Sequence, residues 1–283
     1  DVVLVESPTY HLGLRILQDH GLALEAVPVD ADGLSIEALE ARLADLARSG
    51  RSPRLLYTIP TFHNPTGVSL SPERRRTLID LAVRHGFLIL EDDVYRELAY
   101  DGPAPPSLFS LAPRGVVLRM GSFAKALAPG LRLGWLNCSA EQARRFADGG
   151  LRDSGGAPNF TAAMMVAALC QSGDFDRHVA RLRQAYRERR DALAAALAAH
   201  LPPGCTFTTP RGGYFIWIEL PSHIDGDLLL DRARSHRVSF VPGGRACIDG
   251  RGRHCVRLAF SLMKPDALAE GARRLAAAIG DAT

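Results

Sequence analysis

SPERRRTLIDLAVRHGFLILEDDVY, residues 71–95, holds a helix and a strand in succession, and its reading sets the fold class. Ser71 is a favoured N-cap, Pro72 suits the first helical position, and Glu73 places an acid in the first turn. Leu78, Leu81 and Ala82 supply an apolar face, and Gly86 suits the left-handed residue that ends a helix. Phe87–Leu90 is an unbroken apolar run of strand length, the pattern of a strand covered on both faces. Glu91-Asp92-Asp93-Val94-Tyr95 then forms its polar end.

The same alternation continues on both sides. Val2–Val5 and Leu55–Thr58 read as buried strands, and Leu39, Leu43 and Leu46 mark a helix over 36–47. Val116–Met120 and Leu133–Cys138 follow as further strands. Apolar strands separated by helices predict an α/β fold, a mostly parallel sheet sandwiched by helices. Beyond Gly173 the pattern changes. A long helix over Asp174–His200 is followed by strands at Gly213–Leu220, Val238–Val241 and Cys255–Phe260. Helices near Leu228–Ser235 and Pro265–Ile279 complete a smaller α+β domain. The expected division is a large domain over 1–173 and a small C-terminal domain over 174–283.

Composition narrows the function. The 283 residues are 47% hydrophobic and 23% charged with a net charge of +3, too small and too interspersed an excess for a nucleic-acid surface. The run Arg74-Arg75-Arg76 reads as a solvated helix face. Five cysteines at wide, irregular spacing suggest reduced thiols and a cytoplasmic protein. No stretch is apolar for long enough to span a membrane, and no signal peptide opens the chain. Asp1–Val5 already reads as a strand inside a domain.

In a parallel sheet, ligands collect at the carboxyl ends of strands. The strand over 55–58 leads to Pro60-Thr61-Phe62-His63-Asn64-Pro65-Thr66-Gly67, that over 87–90 to Asp92 and Tyr95, and that over 116–120 to Ser122, Lys125 and Arg132. An amide, a carboxylate, a phenol, an amine and a guanidinium would meet at one site. This set suits pyridoxal 5'-phosphate (PLP), which needs an amine for its aldehyde, an acid for its ring nitrogen and donors for its phosphate.

With NPTG at 64–67, EDDVY at 91–95, SFAK at 122–125, GLRLGW at 130–135 and VRLAFS at 256–261, the chain resembles fold-type I PLP-dependent aminotransferases of class I/II. The branch it most resembles includes aminoadipate/kynurenine and multi-substrate aminotransferases. The resemblance implies Lys125 as the residue that holds the cofactor covalently and carries the substrate proton, which calls for an amine of lowered pKa. It implies Asp92 as partner of the pyridinium nitrogen, with Asp92 preferred to Asp93 because Tyr95 lies three residues on. It further implies Asn64 and Tyr95 on the ring oxygen, Ser122 and Arg132 on the phosphate, Tyr10 stacked on the ring, and Arg257 on the substrate carboxylate with Asn64 also among the substrate-binding residues. Ser7-Pro8 and Asn64-Pro65 are candidate cis peptides. The implied reaction moves an amino group between an L-amino acid and a 2-oxo acid in a homodimer, with no metal.

Some features depart from the family. Ala124 and Ala126 stand where hydroxyl residues are common, and Gly244-Arg245 replaces an acidic-aromatic pair. Family members begin well upstream of Asp1, so an N-terminal arm, an opening strand and helix, and part of the phosphate cup are expected outside these residues. Other readings are an aminotransferase-like effector domain of a bacterial transcription regulator, another PLP reaction on the same fold, and a serine acyl-enzyme using Ser122 and Lys125. The last lacks its companion segments.

Overall fold

The computed structural model describes residues 1–155 and 159–282. Its strands are β1 (Val2–Ser7), β2 (Ala23–Asp30), β3 (Gly33–Leu34), β4 (Pro53–Thr58), β5 (Leu88–Asp92), β6 (Val117–Ser122), β7 (Gly134–Asn137), β8 (Thr206–Phe207), β9 (Phe215–Glu219), β10 (Val241–Pro242) and β11 (Cys255–Ala259). The first seven form one sheet in the order β3-β2-β1-β4-β5-β6-β7, and the last four a second, β10-β11-β9-β8. In the large sheet the pairs from β2 through β6 are parallel, while β3 and β7 are antiparallel margins. The α/β class follows from this layout.

Burial explains the sheet. Val2 and Leu4 of β1 pack with Leu39, Leu43, Leu78 and Leu81 from the helices Ile36–Arg48 and Pro72–His85. Val3 and Val5 face the other way, onto Leu14 of the helix His11–Asp19, Tyr57 and Ile59. Strand side chains alternate between faces, so a strand apolar at every position needs cover on both. The helix Pro72–His85 is capped as expected: Ser71 Oγ accepts from the Arg74 N–H, and Gly86 adopts φ 72°.

Several expectations change. Arg75 is not part of a solvated face. It is fully buried, donating to the carbonyls of Leu70, Pro60 and Pro106 and to Thr61 Oγ1. Burial lowers its pKa to about 10. Arg74 pairs with Asp30, and Arg76 alone of the three is exposed. Arg75→Leu leaves those acceptors without donors, and an unfolding free energy lower by about 3 kcal/mol is expected in urea titration. The predicted strand 238–241 shrinks to β10, because the Val238 N–H is bonded to Ala233 O of the preceding helix and Arg237 turns through φ 57°. The helices His11–Asp19, Ala140–Ala147 and Phe160–Gln171 and the strand β2 arise where no element was expected.

The helix Asp174–His200 begins directly after Gly173, at φ 71°. Its Leu193 and Leu197 pack with the helix Pro265–Gly280 and with β9 and β11, and Phe62, Tyr95, Leu98 and Tyr100 join the same cluster. Residues from the loops after β4 and β5 are thereby pinned against the small sheet.

Candidate active site

Register brings the reactive side chains together. Thr58 is level with Glu91, and Asp92 with Met120, so the carboxyl ends of β4, β5 and β6 lie side by side. Asp92 closes β5, the Asn64 turn follows β4, and Ser122 closes β6. Ser122 Oγ accepts from the Ala124 N–H and so caps the short helix Phe123–Ala126, which carries Lys125. Capping uses the oxygen and leaves the hydroxyl proton for another acceptor.

Asp92 is buried, and its Oδ2 accepts from the Tyr57 hydroxyl at 2.7 Å. Its Oδ1 has no hydrogen-bond partner among the described residues. Burial raises the carboxyl pKa to about 6, opposed by the bond from Tyr57 and by the nearby Val94 N–H. Asp93 points elsewhere, into an ion pair with Arg96 at 2.6 Å and Arg119 at 2.8 Å. Consecutive side chains at a strand end face opposite ways.

Lys125 is half-buried, with Nζ 6.0 Å from the centre of the Tyr95 ring. Burial lowers its pKa, the charges of Arg257 and Arg132 act in the same direction, and Asp92 opposes them. Its carbonyl accepts from the Tyr214 hydroxyl, fixing the backbone from which the amine extends. Tyr95 is buried, and burial raises its pKa, with Asp92 next in effect and the neighbouring Asn64 amide pulling the other way.

Arg257 of β11 reaches across from the small sheet. Its Nη1 donates to Asn64 Oδ1 at 2.9 Å and its guanidinium lies 4.3 Å from the Phe215 ring centre, while Nε has no partner among the described residues. Burial lowers its pKa, and Tyr95 and Tyr10 oppose this. Tyr10, at the N-cap of the helix His11–Asp19, is therefore in the same field as Tyr95 and Arg257. Arg132 is exposed, at φ 51°, after the turn Pro129–Leu131. The strand after it can lie close to β6 only because both partners are small. A Cβ on Gly121 would stand 2.1 Å from the Trp135 ring, and one on Gly134 would stand 2.8 Å from Gly121 O. The Ser7-Pro8 and Asn64-Pro65 peptides are both cis.

Of the anticipated residues, Tyr10, Asn64, Asp92, Tyr95, Lys125, Arg132 and Arg257 act on one another, while Ser122 closes β6 and lines a cleft with Asp93, Val94 and Phe175. Tyr57, Tyr214 and Phe215 join them without having been anticipated. Tyr57 sits in an apolar strand, and nothing local signals that its hydroxyl meets a carboxylate 35 positions on.

A buried carboxylate oxygen without a donor is costly, so Asp92 Oδ1 suits a ligand that brings an N–H to it. The protonated ring nitrogen of PLP is such a group, and a half-buried amine of lowered pKa suits its aldehyde. The residues present fit this cofactor. Among the described residues no cluster of His, Cys, Asp and Glu could hold a metal, and no helix is long and apolar enough to cross a membrane.

Comparison with known proteins agrees. Residues 1–275 match the family model for aminotransferase class I and II. The chain is 33% identical over 280 residues to the aromatic-amino-acid aminotransferase 1 of Thermococcus litoralis, covering 99% of this chain and 67% of that enzyme. It is 34% identical over 283 residues to the 2-aminoadipate transaminase of Thermus thermophilus, covering 98% and 69%. The crystal structure of Pyrococcus horikoshii kynurenine aminotransferase, in complex with PMP and kynurenine, superposes with a TM-score of 0.96 at 34% identity, over 100% of this chain and 70% of that one. The chain belongs to the class I and II aminotransferases, enzymes that use PLP to move amino groups between amino acids and 2-oxo acids.

Proposed function

We propose that Lys125 and Asp92 hold opposite ends of PLP, and that Arg257 receives the carboxylate of an L-amino acid or a 2-oxo acid. The observation that carries this reading is the buried, unpartnered Oδ1 of Asp92 with the Lys125 amine in its field. PLP supplies, when bound, an aromatic ring that accepts electrons as a substrate Cα–H bond breaks.

Each side chain has a task that its chemistry suits. Asp92 Oδ1 accepts the ring N–H and keeps the proton there, and Tyr57 holds the other oxygen so that the carboxylate cannot rotate away. Lys125 is the residue that would hold the cofactor, and its amine, when free, would carry the proton at the substrate Cα. That task needs a neutral amine, which burial and the charges of Arg257 and Arg132 favour. Asn64 and Tyr95 donate to the ring oxygen, and Tyr10 covers the ring face. Ser122 offers its hydroxyl proton, and Arg132 its charge, to the phosphate.

Arg257 has unused donor capacity at Nε and a fixed orientation over Phe215. A carboxylate can take two parallel N–H bonds from such a group. Arg257→Leu is expected to raise KM for the amino acid by about 10- to 100-fold, with a smaller change in kcat, because a charge-assisted pair contributes about 1.5–3 kcal/mol. Steady-state kinetics with amino acid varied would check this, and an unchanged KM would remove Arg257 from the role.

The reading extends to a large domain over 1–173, a small domain over 174–283, and a homodimer in the cytoplasm. Symmetric dimers are the commonest soluble oligomers.

A further inference from the structure

The buried pair behind the site has no part in the tasks above. Glu6, at the end of β1, is 2% exposed, and His63, before Asn64, is 1% exposed. Glu6 Oε1 accepts from the Thr58 hydroxyl at 2.6 Å, and Oε2 accepts from the Ile59 N–H at 2.8 Å. His63 Nε2 lies 3.1 Å from Oε2. On the other side of the ring, Nδ1 lies 2.9 Å from Thr66 Oγ1 and accepts from the Thr66 N–H at 3.4 Å.

These contacts fix one tautomer. A nitrogen that faces a backbone N–H must offer a lone pair, and a nitrogen that faces a carboxylate must offer a proton. Nδ1 is therefore the acceptor and Nε2 the donor. The ring then joins Glu6, which is bonded to β4 and the loop after it, to the far end of the turn over 63–67. Asn64 lies inside that turn. Its Oδ1 accepts from Arg257, which turns its NH2 the other way, toward Tyr95.

We infer that His63, held as the Nε2–H tautomer by the buried Glu6 carboxylate, is a positioning residue that fixes the orientation of Asn64 for the cofactor. This rests on the role given to Asn64 under the proposed function. A ring that only filled space would need no polar partner at either nitrogen, and a buried carboxylate at that place would be a cost without a return. The geometry accounts for both.

Equilibrium PLP binding, followed by absorbance, separates positioning from packing through His63→Phe, Asn64→Ala and the double variant. Each single change is expected to weaken PLP binding by about 10-fold, about 1.4 kcal/mol. The double variant is expected to be weakened little further, because two residues acting through one another are non-additive. His63→Gln keeps an N–H toward Glu6 and is expected to recover part of the loss. An effect of the double variant close to the product of the single effects, about 100-fold, would overturn the inference. So would wild-type affinity in His63→Phe while Asn64→Ala is weakened. Wild-type affinity in Asn64→Ala would instead overturn the role of Asn64. Nitrogen-15 NMR of the histidine side chains in the wild-type protein decides the matter even where His63→Phe does not fold. A proton on Nε2 is expected, and a proton on Nδ1 would contradict the arrangement.

Discussion

Lys125→Ala is expected to reduce amino transfer by at least about 10³-fold, because in the proposed site it removes both the covalent hold on the cofactor and the proton carrier at the substrate Cα. Lys125→Arg should not restore it. A guanidinium stays protonated and cannot take a proton at neutral pH. Half-reaction rates with PLP-saturated protein check this, and a loss of less than about 10-fold would exclude Lys125 from proton transfer. The depressed amine pKa has a consequence for pH. The active neutral form should already be present below the ordinary lysine range, and Asp92→Asn, which removes the one opposing charge, should extend it further down.

Asp92→Asn is expected to reduce kcat by about 10²–10³-fold while PLP still binds, since the amide keeps the shape but loses the negative charge. Its effect on stability should run the other way. In the cofactor-free protein burial raises the Asp92 pKa from 3.8 to about 6, so the folded state binds this proton more tightly than the unfolded state. The contribution of the carboxyl is fully present below the unfolded value and is lost as pH rises through about 6. The loss amounts to about 3 kcal/mol at most. Asn carries no such charge and still accepts from Tyr57. Melting of the cofactor-free proteins at pH 4 and pH 7 should therefore show the wild type losing more stability than the variant over that interval. A parallel decline in both would mean that Asp92 is not buried as an anion at pH 7.

The parts of the fold legible in the sequence are those whose signals are local. The Ser71-Pro72 start, the Gly86 stop and the apolar run after it depend on neighbours within a turn or two, and helix and strand fall where these place them. The helix Asp174–His200 is legible for the same reason. β2 is not: it is only partly buried, with Pro28 inside it and Glu25 tied to Arg42 and Arg51, so no alternation shows. The helix Phe160–Gln171 is apolar on nearly every side and has no stripe to read. Arg75 differs from Arg74 and Arg76 only in helical phase, which turns it inward to acceptors in two other loops.

The site divides in the same way. Residues at strand ends can be read from motif and spacing, because the sheet delivers them to one edge. Tyr57, Glu6 and Tyr214 act through partners 35, 52–57 and 89 positions away, and no local pattern announces such contacts. They form the supporting layer that orients the groups already visible in the sequence.

The chain contains two lysines, Lys125 and Lys264, which makes the central assignment open to one decisive measurement. PLP bound to the wild-type protein can be fixed by borohydride reduction and located by peptide mass mapping. A phosphopyridoxyl group on the peptide with Lys125, and none on the peptide with Lys264, is the predicted result. Labelling of Lys264 in preference to Lys125, or of both equally, would contradict a site in which Lys125 and Asp92 share one cofactor.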